Sequence, residues 1–315
     1  MGKFFFVLCL FYNLLLPFNS SAGDTTKVKK TLKNPFEYKR GRFQMAFFPV
    51  SSYDPASGIE FGAMPVFTIS PKKQPDSTDF YRSSSLATHL TYSTKNWANV
   101  RSEGQFYTTK GFNFVVLFQY LNAPDYFYGI GNDTINKNPS KFQNRYMKFC
   151  LEFSKCKNKV HFWGFKTDVQ LQYIDDIQLN VLNPQISGYD GGTFLGIGPL
   201  YKYDSRNDVN FPSRGYLIQT SITQTVEVQD LRHTFSSYSI DIRKYILFLK
   251  TFILATQANI SHTSGDVPFF KLSTIGGKYN LRGISNKYKY IDKDAKTRHF
   301  PIEIPFFKEC IENLI

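Results

Sequence analysis

Met147-Lys148-Phe149-Cys150-Leu151-Glu152-Phe153-Ser154 alternates without a break: four large apolar side chains at odd positions, a charge, a thiol, a second charge and a hydroxyl at even ones. A period of two is the signature of a strand whose two faces meet different surroundings. The same pattern recurs on both sides. Before it, Ile59, Phe61, Ala63, Phe67 and Ile69 share a face opposite Glu60, Gly62 and Thr68, and Phe112 through Tyr120 places Phe114, Val116 and Phe118 opposite Asn113 and Gln119. After it come Val169, Leu171 and Tyr173 opposite Asp168, Gln170 and Gln172, then Ile218 with Ile222 and Val226, and Tyr238, Ile240 and Ile242 opposite Ser239, Asp241 and Arg243. About eleven such strands precede the glycine-rich stretch at 276–283, and a twelfth is expected from roughly Lys296 to Phe307. Pro65, inside one apolar run, predicts a bulge or local distortion.

Two architectures bury this pattern: a soluble sandwich with the oily faces inside, or a barrel that turns them to lipid. The long strands, the Lys, Glu, Asp and Gln on the polar face and the aromatics near strand ends favour the barrel. The composition agrees: 17% of the residues are aromatic, with 32 Phe and 20 Tyr among 315. The expected fold is therefore all-β, an antiparallel transmembrane β-barrel.

The first 22 residues read as a signal peptide. Lys3 precedes a largely apolar run from Phe4 to Leu16, and Ser20-Ser21-Ala22 suits cleavage after Ala22. That run is shorter than the roughly 20 residues of a spanning helix. Residues 23–41 are lysine-rich and read as a flexible periplasmic lead-in, with the barrel domain over 42–315. The net charge of +13 is spread along the chain with no recognition helix or zinc-finger spacing, so lumen, turn and lipid-phosphate contacts account for it and nucleic acid is not an expected partner. Of four cysteines, Cys150 and Cys156 are close enough for a local disulfide but read as unconnected thiols. Histidines 89, 161, 233, 262 and 299 show no metal-ligand spacing, and neither a metal nor a cofactor is expected. Ser205, Ser213 and His89 are the residues a hydrolase would draw on, but no nucleophile elbow or Walker loop accompanies them, and no catalytic residue is assigned.

Two further stretches set function. Gly276-Gly277-Lys278-Tyr279-Asn280-Leu281-Arg282-Gly283 offers a sharp turn, an apolar anchor and a fixed positive charge, as in a loop folded inward so that Arg282 meets a carboxylate. Tyr203-Asp204-Ser205-Arg206-Asn207-Asp208 followed by Phe211-Pro212-Ser213-Arg214-Gly215 is a polar turn between strands. With Val267-Pro268-Phe269-Phe270-Lys271-Leu272 and the return segment Tyr290-Ile291-Asp292-Lys293-Asp294, these motifs resemble the bacterial surface antigen, or Omp85-like, family of outer-membrane barrels, over residues 42 to about 307.

The resemblance implies a sixteen-stranded barrel with an inward loop carrying Gly276, Gly277, Leu281, Arg282 and Gly283. It makes Glu303, Asp241 and Asp204 candidate partners of Arg282, and Asp204, Arg206, Asn207, Pro212 and Gly215 the strand–turn signature. About twelve of sixteen strands are present, and residues 23–41 cannot hold a POTRA repeat. The chain resembles the barrel-only branch and reads as incomplete at its C-terminal side. The implied function is that of an outer-membrane protein related to insertion and translocation factors, without covalent chemistry. Lipid and lipopolysaccharide, unfolded outer-membrane clients and a separate periplasmic protein are the expected partners. A passive pore, a structural surface protein and a barrel-embedded lipid hydrolase are the alternatives.

Overall fold

The computed structural model describes residues 37–54, 58–71, 82–131, 138–248, 252–275, 288, 290–299 and 302–303, positions 54, 297–299, 302 and 303 by backbone only. The main strands are β1 (Glu37–Arg40), β2 (Phe43–Asp54), β3 (Gly58–Ile69), β4 (Ser84–Ser93), β5 (Ala98–Tyr107), β6 (Phe112–Phe127), β7 (Ser140–Lys157), β8 (His161–Asp175), β9 (Gly192–Asp204), β10 (Gly215–Glu227), β11 (Thr234–Phe248) and β12 (Phe252–Gly265). A 3₁₀ turn (Phe269–Lys271) follows, then the short strands β13 (Ser273–Thr274), β14 (Ile291–Asp292), β15 (Asp294–His299) and β16 (Ile302–Glu303). Each strand from β1 to β12 pairs antiparallel with its neighbours in sequence, and β15 and β16 both pair with β12. Among the described residues the ladder begins at Glu37, inside the stretch read as a lead-in. Among the described residues no helix is long and apolar enough to cross a membrane.

The sheet is not closed. β1 pairs only with β2, the far edge of β12 is met only by β15 and β16, and no pairing joins the two edges among the described residues. This corrects the expectation of a closed transmembrane barrel. Alternation along a strand reports what each face meets; closure depends on strand number, tilt and shear around the whole sheet, which no local pattern encodes.

The open sheet nevertheless curls. Glu152 on β7 and Gln219 on β10 are three strand spacings apart, about 14 Å on a flat sheet, yet Gln219 Nε2 lies 3.2 Å from Glu152 Oε1. Arg82, just ahead of β4, reaches Asp204 at the end of β9, five strands on. Contacts of that reach require the sheet to bend toward the face that bears them.

That concave face is polar and the convex face is oily. Asn113, Asn144, Asp168, Gln170, Gln172, Lys202 and Asp204 are buried, Lys202 at 4% exposure. Met147, Phe149, Phe165, Leu195, Ile222 and Ile240 are exposed, Ile197 at 58% and Trp163 at 60%. The β7 stretch distributes as its alternation predicts: Cys150 and Ser154 are buried, Phe149 and Met147 exposed. Cys150 and Cys156 are both free thiols.

Pro65 distorts less than a bulge would. Its pairing with Phe47 is kept, and on the other side the ladder runs Ala63↔Leu90, then Val66↔Ala87. The register is unchanged across the gap, because a residue without an N–H removes ladder bonds without adding length.

The main apolar core lies on the concave side, at the end of the sheet carrying the longer connections. Phe269, fully buried, is ringed by Phe127 (centroids 5.0 Å), Phe142 (5.8 Å), Phe270 (5.4 Å) and Tyr288 (5.9 Å). Leu182, Ile174, Phe194, Phe235, Val267, Leu272 and Ile291 complete the cluster. Backbone bonds hold the segment in place, Phe269 N to Ser187 O at 2.9 Å and Gly131 N to Ile291 O at 2.9 Å.

Candidate functional site

The strand–turn signature builds itself from local hydrogen bonds. Asn207 accepts the backbone N–H groups of Ser213 (3.0 Å) and Arg214 (2.9 Å) on Oδ1 and donates through Nδ2 to Ser213 Oγ at 3.0 Å. Asp208 Oδ1 accepts the N–H groups of Asn210 and Phe211, each at 2.8 Å. Pro212 lies between these anchors, half-buried. Gly215 closes the turn at φ +106°, where a Cβ would fall 2.3 Å from the Ser205 carbonyl oxygen, so only glycine fits.

The turn delivers Arg206 to Asp204. The guanidinium donates from Nε to Oδ1 (2.9 Å) and from Nη2 to Oδ2 (3.0 Å), a two-point clamp. Arg82 completes the site, bonding Oδ2 with one nitrogen and the Asp204 carbonyl with the other at 2.8 Å. Its guanidinium also lies over the rings of Tyr107 (5.7 Å) and Phe162 (5.5 Å). Burial opposes the charge on Arg206, but the Asp204 carboxylate outweighs it and holds the guanidinium above its ordinary value.

Asp241, another candidate for the loop arginine, is held by Arg243 Nε (3.0 Å) and Nη2 (2.6 Å) on one oxygen and by Gln257 on the other (3.0 Å). Glu303 sits on β16, its backbone opposite Ile253; its side chain lies outside the described residues, as do Gly276, Gly277, Leu281, Arg282 and Gly283. Ser205 Oγ accepts the Tyr216 N–H at 3.0 Å, Ser213 belongs to the Asn207 turn, and His89 lies opposite Arg101 on the β4–β5 ladder. The structure does not bring these three residues together.

A different cation occupies the concave face. Lys271, at the end of the 3₁₀ turn, places Nζ 3.3 Å from Asp168 Oδ2 on β8 and 5.6 Å from the centre of the Phe194 ring. Burial and the nearby Lys148 pull its ammonium down to about 8, against the attraction of Asp168. Below it, Glu152 gathers Lys166 Nζ (3.6 Å), Lys202 Nζ (3.8 Å) and Gln219. The concave face is thus a chain of compensated charges, with the Phe269 segment pressed onto it.

Sequence reading missed Arg82 and Lys271. Arg82 carries no local pattern; Lys271 does, as the one charge in Val267-Pro268-Phe269-Phe270-Lys271-Leu272. The fold also assembles Ser187, His233 and Asp266, but serine and aspartate both address His233 Nδ1, at 3.4 and 2.8 Å. A proton relay needs them on opposite ring nitrogens. Among the described residues, no group of three or more His, Cys, Asp or Glu side chains is placed to hold a metal.

The stretch from β2 to β15 that builds this curled sheet and its inward segment matches a family model described as the Omp85 superfamily domain, over residues 51–294. The chain belongs to the Omp85 superfamily. Membership in the Omp85 superfamily associates the chain with the outer membrane and relates it to insertion and translocation proteins. A solved structure, BamA from Haemophilus ducreyi lacking POTRA domains 1–3, is 17% identical with a TM-score of 0.45, covering 79% of this Omp85 chain. The chain spans 47% of the length of that structure. No curated protein matches it.

Proposed function

We propose that this Omp85-superfamily chain works in the outer membrane as an assembly or translocation factor, guiding polypeptide along the free edges of its sheet without covalent chemistry. The observation that carries this reading is the open, inside-out sheet: an oily convex face joined to two edges, β1 and β15–β16, with no strand partner on their outer sides among the described residues. Unpaired edge N–H and C=O groups are a template for an incoming strand. The convex side chains suit lipid, and lysines at the turns suit the phosphates of lipopolysaccharide. The natural clients are unfolded outer-membrane chains, themselves strands with one oily face. A separate periplasmic protein would deliver them. No cofactor or nucleic acid enters this scheme.

The test is depletion of the protein in its native cell, followed by measurement of outer-membrane protein levels. Loss of a defined client from that membrane, with capture of the same client by a photo-crosslinker at Tyr38 on the β1 edge, is the expected result. Unchanged client levels together with a reproducible conductance in planar bilayers would replace this reading with a passive pore.

A further inference from the structure

A cleft of about 320 Å³ opens between the connection from β8 to β9 and the turn from β10 to β11, lined by Gln172, Ser187, Gly192, Glu227, Asp230 and Arg232 among others. It is independent of the sheet edges on which the assembly reading rests. Asp230 and Asp190 share Arg232, whose guanidinium nitrogens lie 2.7 and 3.9 Å from them. Beside the cleft, Asp266 is matched by His233 at 2.8 Å. Glu227 is different. It is the last residue of β10, only 4% exposed, and its Oε2 makes no hydrogen bond.

An unmatched buried carboxylate oxygen costs several kcal/mol unless a positive or donating group reaches it. The backbone makes room for this carboxylate: Gly192 holds φ +138°, and a Cβ there would lie 2.6 Å from Glu227 Oε1. Among the cleft's lining residues one cation, Arg232, faces three carboxylates, Asp190, Asp230 and Glu227, so negative charge is left in excess. A metal ion would want three or more ligating side chains, and none of the described residues form such a set. An organic cation needs only one carboxylate and a polar wall. The volume lies at the lower end of small-molecule sites, about 300 Å³.

We infer that Glu227 anchors a binding site for a primary ammonium or guanidinium group in this cleft. The cation can arrive on a free amine or on a lysine or arginine side chain of a polypeptide, and the two sources are separable.

The experiment uses the full chain in detergent micelles, titrated calorimetrically with agmatine and, separately, with an arginine-rich peptide. Saturable binding that weakens at least tenfold in Glu227→Gln, and not in Glu103→Gln, an exposed carboxylate on β5, is expected. Binding of the peptide alone assigns the cation to a polypeptide; binding of agmatine as well assigns it to free amines. A readout on the unaltered chain protects against a misfolded variant: agmatine should raise its melting temperature, and N-butylurea, similar in shape but neutral, should not. Absence of binding by both probes, equal binding by Glu227→Gln, or equal stabilisation by the neutral analogue would overturn the inference.

Discussion

Lys271 meets Asp168 across the concave face, Nζ to Oδ2 at 3.3 Å, although 103 residues separate them. Both side chains are nearly buried, at 12% exposure each. Removing one partner of such a pair strands the other, at a cost of about 3 kcal/mol or more. Asp168→Asn should therefore loosen the Phe269 segment, seen as faster hydrogen exchange over 266–275 and a lower denaturation midpoint. The double variant Asp168→Asn/Lys271→Met should recover most of the loss. If it is as unstable as the single variant, the pair is not what holds the segment.

The same lysine sets a pH dependence. Its ammonium is brought down to about 8 from an ordinary 10.5, so between those values the unfolded chain binds more protons than the folded one. Stability contributed at this site therefore rises with pH across that window, by at most about 3 kcal/mol. The charged and titratable groups facing it are Asp168, Lys148 and Cys150. Denaturation midpoints measured from pH 7 to 10.5 should climb in the parent chain relative to Lys271→Met; parallel curves would contradict the assignment.

Asp204 is fully buried between two guanidinium groups. Asp204→Asn leaves Arg82 and Arg206 without their shared counter-charge and should cost about 3 kcal/mol. Gly215→Ala should also destabilise, by about 1 kcal/mol or more, because its Cβ has no room at a positive φ. Thermal melts of the two variants and their combination check both values. Near-additive losses would place them in separate interactions; since both act on one turn, less than additive losses are expected.

Phe269→Ala should remove about 3–5 kcal/mol, the usual effect of deleting a fully buried aromatic. Trp163→Ala, at a position 60% exposed on the convex face, should leave the melting temperature in detergent almost unchanged. In vesicles, brominated acyl chains should quench Trp163 strongly. Unquenched Trp163 would place the oily face against protein, not lipid.

Much of the sheet was legible from residues alone. The alternation from Met147 to Ser154 gave both faces of β7, and the turn from Asp204 to Gly215 marked a real junction between β9 and β10. Its polar residues act on one another within a dozen positions, which is why sequence could show it. What joins distant strands could not be read. Arg82 finds Asp204 only because five strands curl between them, and the open edges depend on geometry spread around the whole sheet. β1 escaped notice because four residues, Glu-Tyr-Lys-Arg, are too few and too polar for a period to declare itself. At Pro65, where a bulge or a local distortion was expected, the ladder shows the distortion without the bulge: a missing donor and an extra residue leave the same mark on a sequence, but only the second shifts a register.

β15 and β16 lie on β12 in one register, Gln257 opposite His299 and Ile253 opposite Glu303, so they amount to one strand seated in two pieces. Among the described residues the smaller piece holds by two residue pairs, Ile253↔Glu303 and Leu254↔Ile302. A competing segment could take those positions as a toehold while the larger piece stayed seated, then displace it pair by pair. Exchange at this border would proceed by branch migration, never requiring all of β12 to be stripped at once.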